Sequence, residues 1–138
     1  MRYMLPGFVF SVGIAPPLAA AALTAIRLVR SDPSIMADMR RNIECFVRSA
    51  KARHMNTCLA GETAIIPILV GEDDAATTLS NAMREKGVFV PPAIYPAVPR
   101  GQARLRFCVT SAHKPEQIEE ALDALEACCR ECGIQLPE

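Results

Sequence analysis

The chain has 138 residues, 51% of them hydrophobic and 22% charged, and its formal net charge is zero. That length supports one domain with a core of its own, and neutrality removes the bulk attraction for nucleic acid or an anionic membrane as main partner. Trp is absent and aromatics make up 5%, so the core must be mostly aliphatic.

In chain order, Arg2 and the run YMLPGFVFSVGIAPPLAAAA have the outline of a signal peptide. Gly7, Ser11, Gly13, Pro16 and Pro17 interrupt that run, and it flows into a helix, so a cytoplasmic location is expected. Pro16 and Pro17 suit a first helical turn. Leu18 to Val29 is apolar on nearly all sides, which predicts a buried helix. Arg30 cuts the run short of the roughly 20 residues a membrane span needs. Asp32 and Pro33 end this helix and start another, with Ile35, Met39, Ile43, Phe46, Val47 and Ala50 at helical spacing.

The stretch NTCLAG (56–61) predicts a short edge strand, and AIIPILV (64–70) a buried one. Pro67 lacks an N–H, which points to an edge or a bulge there. GEDDAATTLSNAMREKG predicts a helix with Asp73 or Asp74 as cap at its start and Gly87 in a left-handed cap at its end. VFVPPAIYPAVPRGQ begins as a strand and becomes a proline-rich loop. A strand follows at 103–110, then a helix from Pro115 to about Cys132, ended by Gly133. Intermixed helices and short strands imply an α/β (α+β) two-layer sandwich, a small mixed or antiparallel sheet covered on one face by helices.

Candidate chemistry is sparse. The six cysteines form no pair of C-x-x-C motifs, so reduced thiols filling core space are expected, with no metal site and no disulfides. His54 reads as a solvated or capping residue. His113 lies in the turn after the 103–110 strand, where it would hydrogen-bond backbone and fix the turn. Seven glycines form no phosphate-cradling motif. The best constellation is on the strand ARLRFCVT. Side chains alternate, so Ala103, Leu105, Phe107 and Val109 share one face and Arg104, Arg106, Cys108 and Thr110 the other. A guanidinium fork on a rigid strand can orient a small carboxylate. The pattern alone equally allows a solvated sheet face.

The segments FVFSVGIAPPLAAAALTAIRL and IIPILVGEDDAATTLSNAMREKGVFVPPAIYPAVPRGQARLRFCVTSAHKPEQIEEALDAL resemble, in order and spacing, the C-terminal third of the α-oxoamine synthases. The resemblance covers Gly7 to about Ala127. It implies the C-terminal small domain of a fold type I enzyme using pyridoxal 5′-phosphate (PLP). Such enzymes are homodimers that condense an amino acid with an acyl-CoA or acyl-carrier thioester, usually losing the amino acid's carboxylate as carbon dioxide. By motif position, Arg106 would grip the substrate carboxylate, with Arg104 and His113 as supporting residues. Ser11 would reach the cofactor phosphate of a neighbouring subunit.

Three departures qualify the resemblance. Val12 replaces a threonine that would be a second phosphate donor. Lys114 replaces a helix-capping threonine, at a cost of about 1 kcal/mol. The cofactor lysine, the pyridine-nitrogen aspartate and the ring-stacking histidine belong to a large domain that these 138 residues do not include. Residues 1–31 are expected to be an interface segment and linking helix, and 32–138 the sandwich. The resulting expectation is a homo-oligomer, inactive as a synthase and without bound PLP when alone. The rivals are a non-catalytic module that binds small anions or drives oligomerisation, and a plain scaffold with solvated arginines.

Overall fold

The computed structural model describes residues 13–137. The chain divides into two compact units between Ser34 and Ile35.

The first unit holds helix α1, Pro16–Ser31. Proline stands at its start, behind an extended Ala15, because the first turn needs no N–H from that position. Asp32 ends it. The Asp32 carboxylate then accepts from the Ser34 N–H at 3.0 Å and the Ser34 hydroxyl at 2.6 Å, which caps the next helix. Those hydrogen bonds hold the Asp32 carboxyl below its ordinary value. No residue of α1 is buried, and Leu18, Leu23, Ile26 and Leu28 are exposed. The expectation of a buried helix is therefore not met among the described residues, where this apolar helix stands exposed.

The second unit contains most of helix α2 (Pro33–Ala52), strand β1 (Ile65–Gly71), helix α3 (Asp73–Glu85), a two-residue strand β2 (Pro92–Ala93), strand β3 (Ala103–Cys108) and helix α4 (Pro115–Cys132). The three strands form one antiparallel sheet in the order β1-β3-β2, with β3 central. Ile66, Ile68 and Val70 of β1 and Ala103, Leu105 and Phe107 of β3 point to one face and are buried. Against them lie Leu79 and Met83 of α3, Leu122 and Leu125 of α4, and Ile43 and Phe46 of α2. The rings of Phe46 and Phe107 meet at 5.0 Å and a 51° tilt. This is the expected two-layer sandwich with helices on one face.

Local chemistry explains the boundaries. Gly87 (φ 83°) and Gly133 (φ 66°) take the left-handed conformation after α3 and α4. Val88 N–H returns to the Met83 carbonyl and Ile134 N–H to the Cys129 carbonyl, both at 2.9 Å, the double-bonded C-terminal motif glycine permits. The α3 start is a correction: Glu72 is the N-cap and gives no side-chain bond, while Asp73 lies in the first turn and accepts from the Tyr95 N–H at 3.4 Å. At α4, Lys114 is the N-cap without a side-chain acceptor, and Gln117 Oε1 takes the Lys114 N–H at 2.9 Å. Half of a capping box thus survives the loss of threonine.

The expected strand at 56–61 is also a correction. Asn56 Oδ1 accepts the Cys58 N–H at 2.9 Å and Cys58 sits at φ 53°, so this segment turns; a short side-chain acceptor competes with the ladder here. Pro67 falls on an edge strand as expected, with a bulge between Leu69 and Gly71. Leu69 N–H points away from β3 to the Asn56 carbonyl at 2.9 Å. Pro67, two residues earlier, shares that outward side, so its missing N–H costs no ladder bond.

Candidate functional site

The sheet's second face carries the candidate residues. β3 projects Arg104, Arg106 and Cys108 outward, opposite Leu69, Pro67 and Ile65 of β1. Arg104 is half-buried and Arg106 and Cys108 are exposed. Arg104 Nε donates to the Gln102 carbonyl at 3.0 Å, Nη2 to Gln102 Oε1 at 3.3 Å, and Nη1 approaches Cys58 Sγ at 4.0 Å. Every one of those acceptors is neutral, and the guanidinium has no ion pair among the described residues. The Arg106 side chain makes no hydrogen bond or ion pair among the described residues, while its backbone N–H is tied to the Pro91 carbonyl at 2.9 Å. A rigid backbone under an unengaged fork is what bidentate carboxylate binding needs.

His113 lies beyond the end of β3. Its Nδ1 accepts from the Thr110 N–H at 2.9 Å and stands 3.1 Å from the Thr110 hydroxyl, so His113 closes the turn as its sequence position suggests. Sequence reasoning missed Asn42. This buried α2 residue donates from Nδ2 to the carbonyls of Thr110 (3.0 Å) and His113 (2.7 Å). Its only advance signal is a polar amide among Met39, Ile43 and Phe46 on the apolar side of the helix. Its Oδ1 is buried without a partner. Ser11 lies outside the described residues. His54 is exposed at φ 56° just after α2.

A groove of about 490 Å³ runs beside the C-terminal end of β3, lined by Phe89, Phe107, Cys108, His113, Gln117 and Lys86 among others. Arg104 and Arg106 are not among its lining residues, although Phe107 and Cys108 of the same strand are. The six cysteines are free. Only Cys45 and Cys128 are fully buried; Cys58, Cys108 and Cys132 are exposed, so core filling describes a minority of them. Burial pushes the Cys129 thiol up to about 11 and raises that of Cys128.

A Schiff-base cofactor requires an unengaged lysine beside the site. The chain has Lys51, Lys86 and Lys114. Lys86 Nζ is paired with Glu131 Oε1 at 2.8 Å, a bond that raises its pKa. Lys51 lies in the last turn of α2 and Lys114 is the N-cap of α4; no strand among the described residues carries a lysine. Among the described residues, Arg104 and Arg106 therefore share a strand of a sheet on which no lysine stands.

The model of the family described as aminotransferase class I and II matches residues 1–125. An 8-amino-7-oxononanoate synthase of Symbiobacterium thermophilum is 37% identical over 127 residues, covering 92% of this chain and 32% of that protein. An 8-amino-7-oxononanoate synthase/2-amino-3-ketobutyrate coenzyme A ligase of Thermus thermophilus is 35% identical over the same length, with the same coverage. Among solved structures, Sphingomonas wittichii serine palmitoyltransferase superposes with a TM-score of 0.84 at 26% identity, over 97% of this chain and 34% of that one. An 8-amino-7-oxononanoate synthase from Francisella tularensis shares the fold, with a TM-score of 0.75 at 21% identity over 96% and 38%. The chain belongs to the aminotransferase class I and II family, and these relatives bear out its resemblance to the α-oxoamine synthases. It spans about a third of the length of the curated relatives it matches.

Proposed function

We propose that these 138 residues correspond to the C-terminal domain of a PLP-dependent acyltransferase of α-oxoamine synthase type. The reaction joins an amino acid to an acyl thioester carried by CoA or an acyl carrier, with release of carbon dioxide. Residues 1–31 serve as interface segment and linking helix, and 32–138 as the sandwich. Arg106 grips the carboxylate of the amino acid. Arg104 supports that face through its lock on Gln102, and His113 supports it by closing the turn behind β3. Ser11 reaches the cofactor phosphate of a neighbouring subunit, in a homo-oligomer working in the cytoplasm. No described helix is long and apolar enough to cross a membrane.

The observation that carries this reading is the Arg106 guanidinium, exposed on the central strand with no carboxylate partner among the described residues. Calorimetric titration of the chain with amino acids and with CoA thioesters tests it. No binding by the chain alone favours the C-terminal domain, and binding without catalysis favours the rival small-anion module; equal binding by the parent and Arg106→Gln overturns the role of Arg106. The chain alone is inactive in this reading, because none of its three lysines, Lys51, Lys86 and Lys114, sits in the family's cofactor-lysine motif. Mixing it with PLP should give no absorbance band of a lysine-bound cofactor. A band that disappears on replacing one lysine would overturn that part.

A further inference from the structure

We propose that the groove beside the C-terminal end of β3 is a peptide-binding site that takes one extended, uncharged residue with apolar flanks. Its origin is an interrupted ladder. Successive residues of a central strand turn their backbone groups alternately to the two neighbouring strands. Val109 N–H reaches the Ala64 carbonyl at 2.8 Å on the β1 side, and Arg106 N–H reaches the Pro91 carbonyl at 2.9 Å on the β2 side. Cys108 lies two residues beyond Arg106, so its N–H and carbonyl turn to the β2 side too. Extending the register in which Pro92 faces Leu105 sets Phe89 opposite Cys108. No hydrogen bond joins these two, and neither backbone group of Cys108 has a partner among the described residues. The pairing fails beyond Pro91, which has no N–H to return to Arg106. The groove, of about 490 Å³, lies at this gap, with Phe89, Phe107 and Cys108 among its lining residues.

A donor and an acceptor on one edge residue are matched by the carbonyl and the N–H of one residue of another extended chain. His113 and Gln117 also line the groove, and their acceptor atoms are spent: His113 Nδ1 on the Thr110 N–H and Gln117 Oε1 on the Lys114 N–H, both at 2.9 Å. What remains to them is N–H, which suits the next carbonyl of a peptide. Charge does not call for an ion. Lys86 and Glu120 of the lining are opposite in sign, and Lys86 is held by Glu131 at 2.8 Å. The flanks are apolar because Phe89, 74% exposed, and Ala121 and Ala124 of α4 offer carbon surface that an occupant would cover. Arg106 is not among the lining residues, so the site stands apart from the carboxylate role given to that side chain.

The test titrates N-acetyl-leucine N-methylamide into the full chain, with the backbone amides followed one by one by NMR. Before any probe is added, the Cys108 amide should exchange with solvent at least about tenfold faster than that of Val109, which is bonded to Ala64. With the probe, the Cys108 amide proton should move downfield and its exchange should slow. An analogue with an ester oxygen in place of the leucine N–H leaves the Cys108 carbonyl without a donor and should bind about fivefold more weakly. Phe89→Ser, at an exposed position where the fold is not at stake, should weaken binding of the amide probe by a similar factor. A Cys108 amide already protected in the free chain would overturn the proposal. So would a Cys108 signal that ignores the probe, shifts centred on Arg104 and Arg106 instead, or a probe that binds as well as its ester and as well to Phe89→Ser.

Discussion

Asn42 and His113 are joined by a 2.7 Å hydrogen bond that spans 71 residues of sequence, from the side-chain amide of α2 to the carbonyl of the turn after β3. The same amide holds the Thr110 carbonyl at 3.0 Å. One side chain thus fastens the helix layer to the end of the strand that carries Arg106. Truncation would leave two carbonyls short of a donor. Asn42→Ala should cost about 2 kcal/mol, since each lost bond is worth about 1 and orphaned groups add a desolvation penalty. Urea unfolding of the two chains measures this; an unchanged midpoint would refute the clamp.

The two arginines of β3 should separate in a stability experiment. Arg104 is tied to Gln102 and touches Cys58, so Arg104→Ala should lower stability by about 1 kcal/mol. Arg106 makes no side-chain bond among the described residues, and Arg106→Ala should stay within about 0.5 kcal/mol of the parent. Thermal unfolding of both variants decides it, and a reversed order contradicts the geometry.

Glu119 makes the helix layer acid-sensitive. The Ser49 hydroxyl donates to its carboxylate, and Arg53 Nη2 lies 2.8 Å from Oε2. First the Ser49 hydrogen bond, then Arg53, hold its pKa below the ordinary value. A depressed carboxylate pKa stabilises the fold above the unfolded value, about 4.3, and that stabilisation is lost as pH falls through the lower folded value. The Glu119 side chain is 42% exposed, so solvent screens the ion pair and the gain is modest. The gap in urea midpoint between the parent and Ser49→Ala should therefore be wider at neutral pH than at about pH 3. A gap that stays constant would count against the coupling.

Gly87→Ala should destabilise by about 1 kcal/mol, because a Cβ is strained in the left-handed region. Space is not the obstacle: apart from Gly87 and its chain neighbours, no heavy atom lies within 4 Å of where that Cβ would sit. Gly87→Asn should cost less, as Asn tolerates this conformation better. Chemical denaturation of the pair gives the ranking.

Much of the second unit was legible because its signals are local. Alternation along ARLRFC placed the arginines on one face, and Gly87 and Gly133 marked the ends of two helices. The TSAHKP turn likewise announced the role of His113 in its own geometry. What stayed hidden depends on contacts far apart in sequence. NTCLAG has the composition of a strand, yet Asn56 Oδ1 takes the Cys58 N–H and its carbonyl takes the Leu69 N–H of β1. Asn42 looked like an interruption of an apolar stripe because its partners lie about 70 residues away. Periodicity marked α1 as interior, but that signal reports only that the helix is apolar and not what stands opposite it.

Pro67 has a consequence for how the molecule behaves in a crowd. The free rim of an outermost strand is a row of donors and acceptors on which a foreign chain can zip. Here one donor is absent by chemistry and a second, on Leu69, is already spoken for by Asn56. A visiting strand would find few amides to grasp, so ribbon-like growth from this rim is blocked at its start. Pro67→Val restores one of them, and the altered chain should form thioflavin-positive assemblies sooner than its parent; equal lag times would show that the rim is guarded by something else.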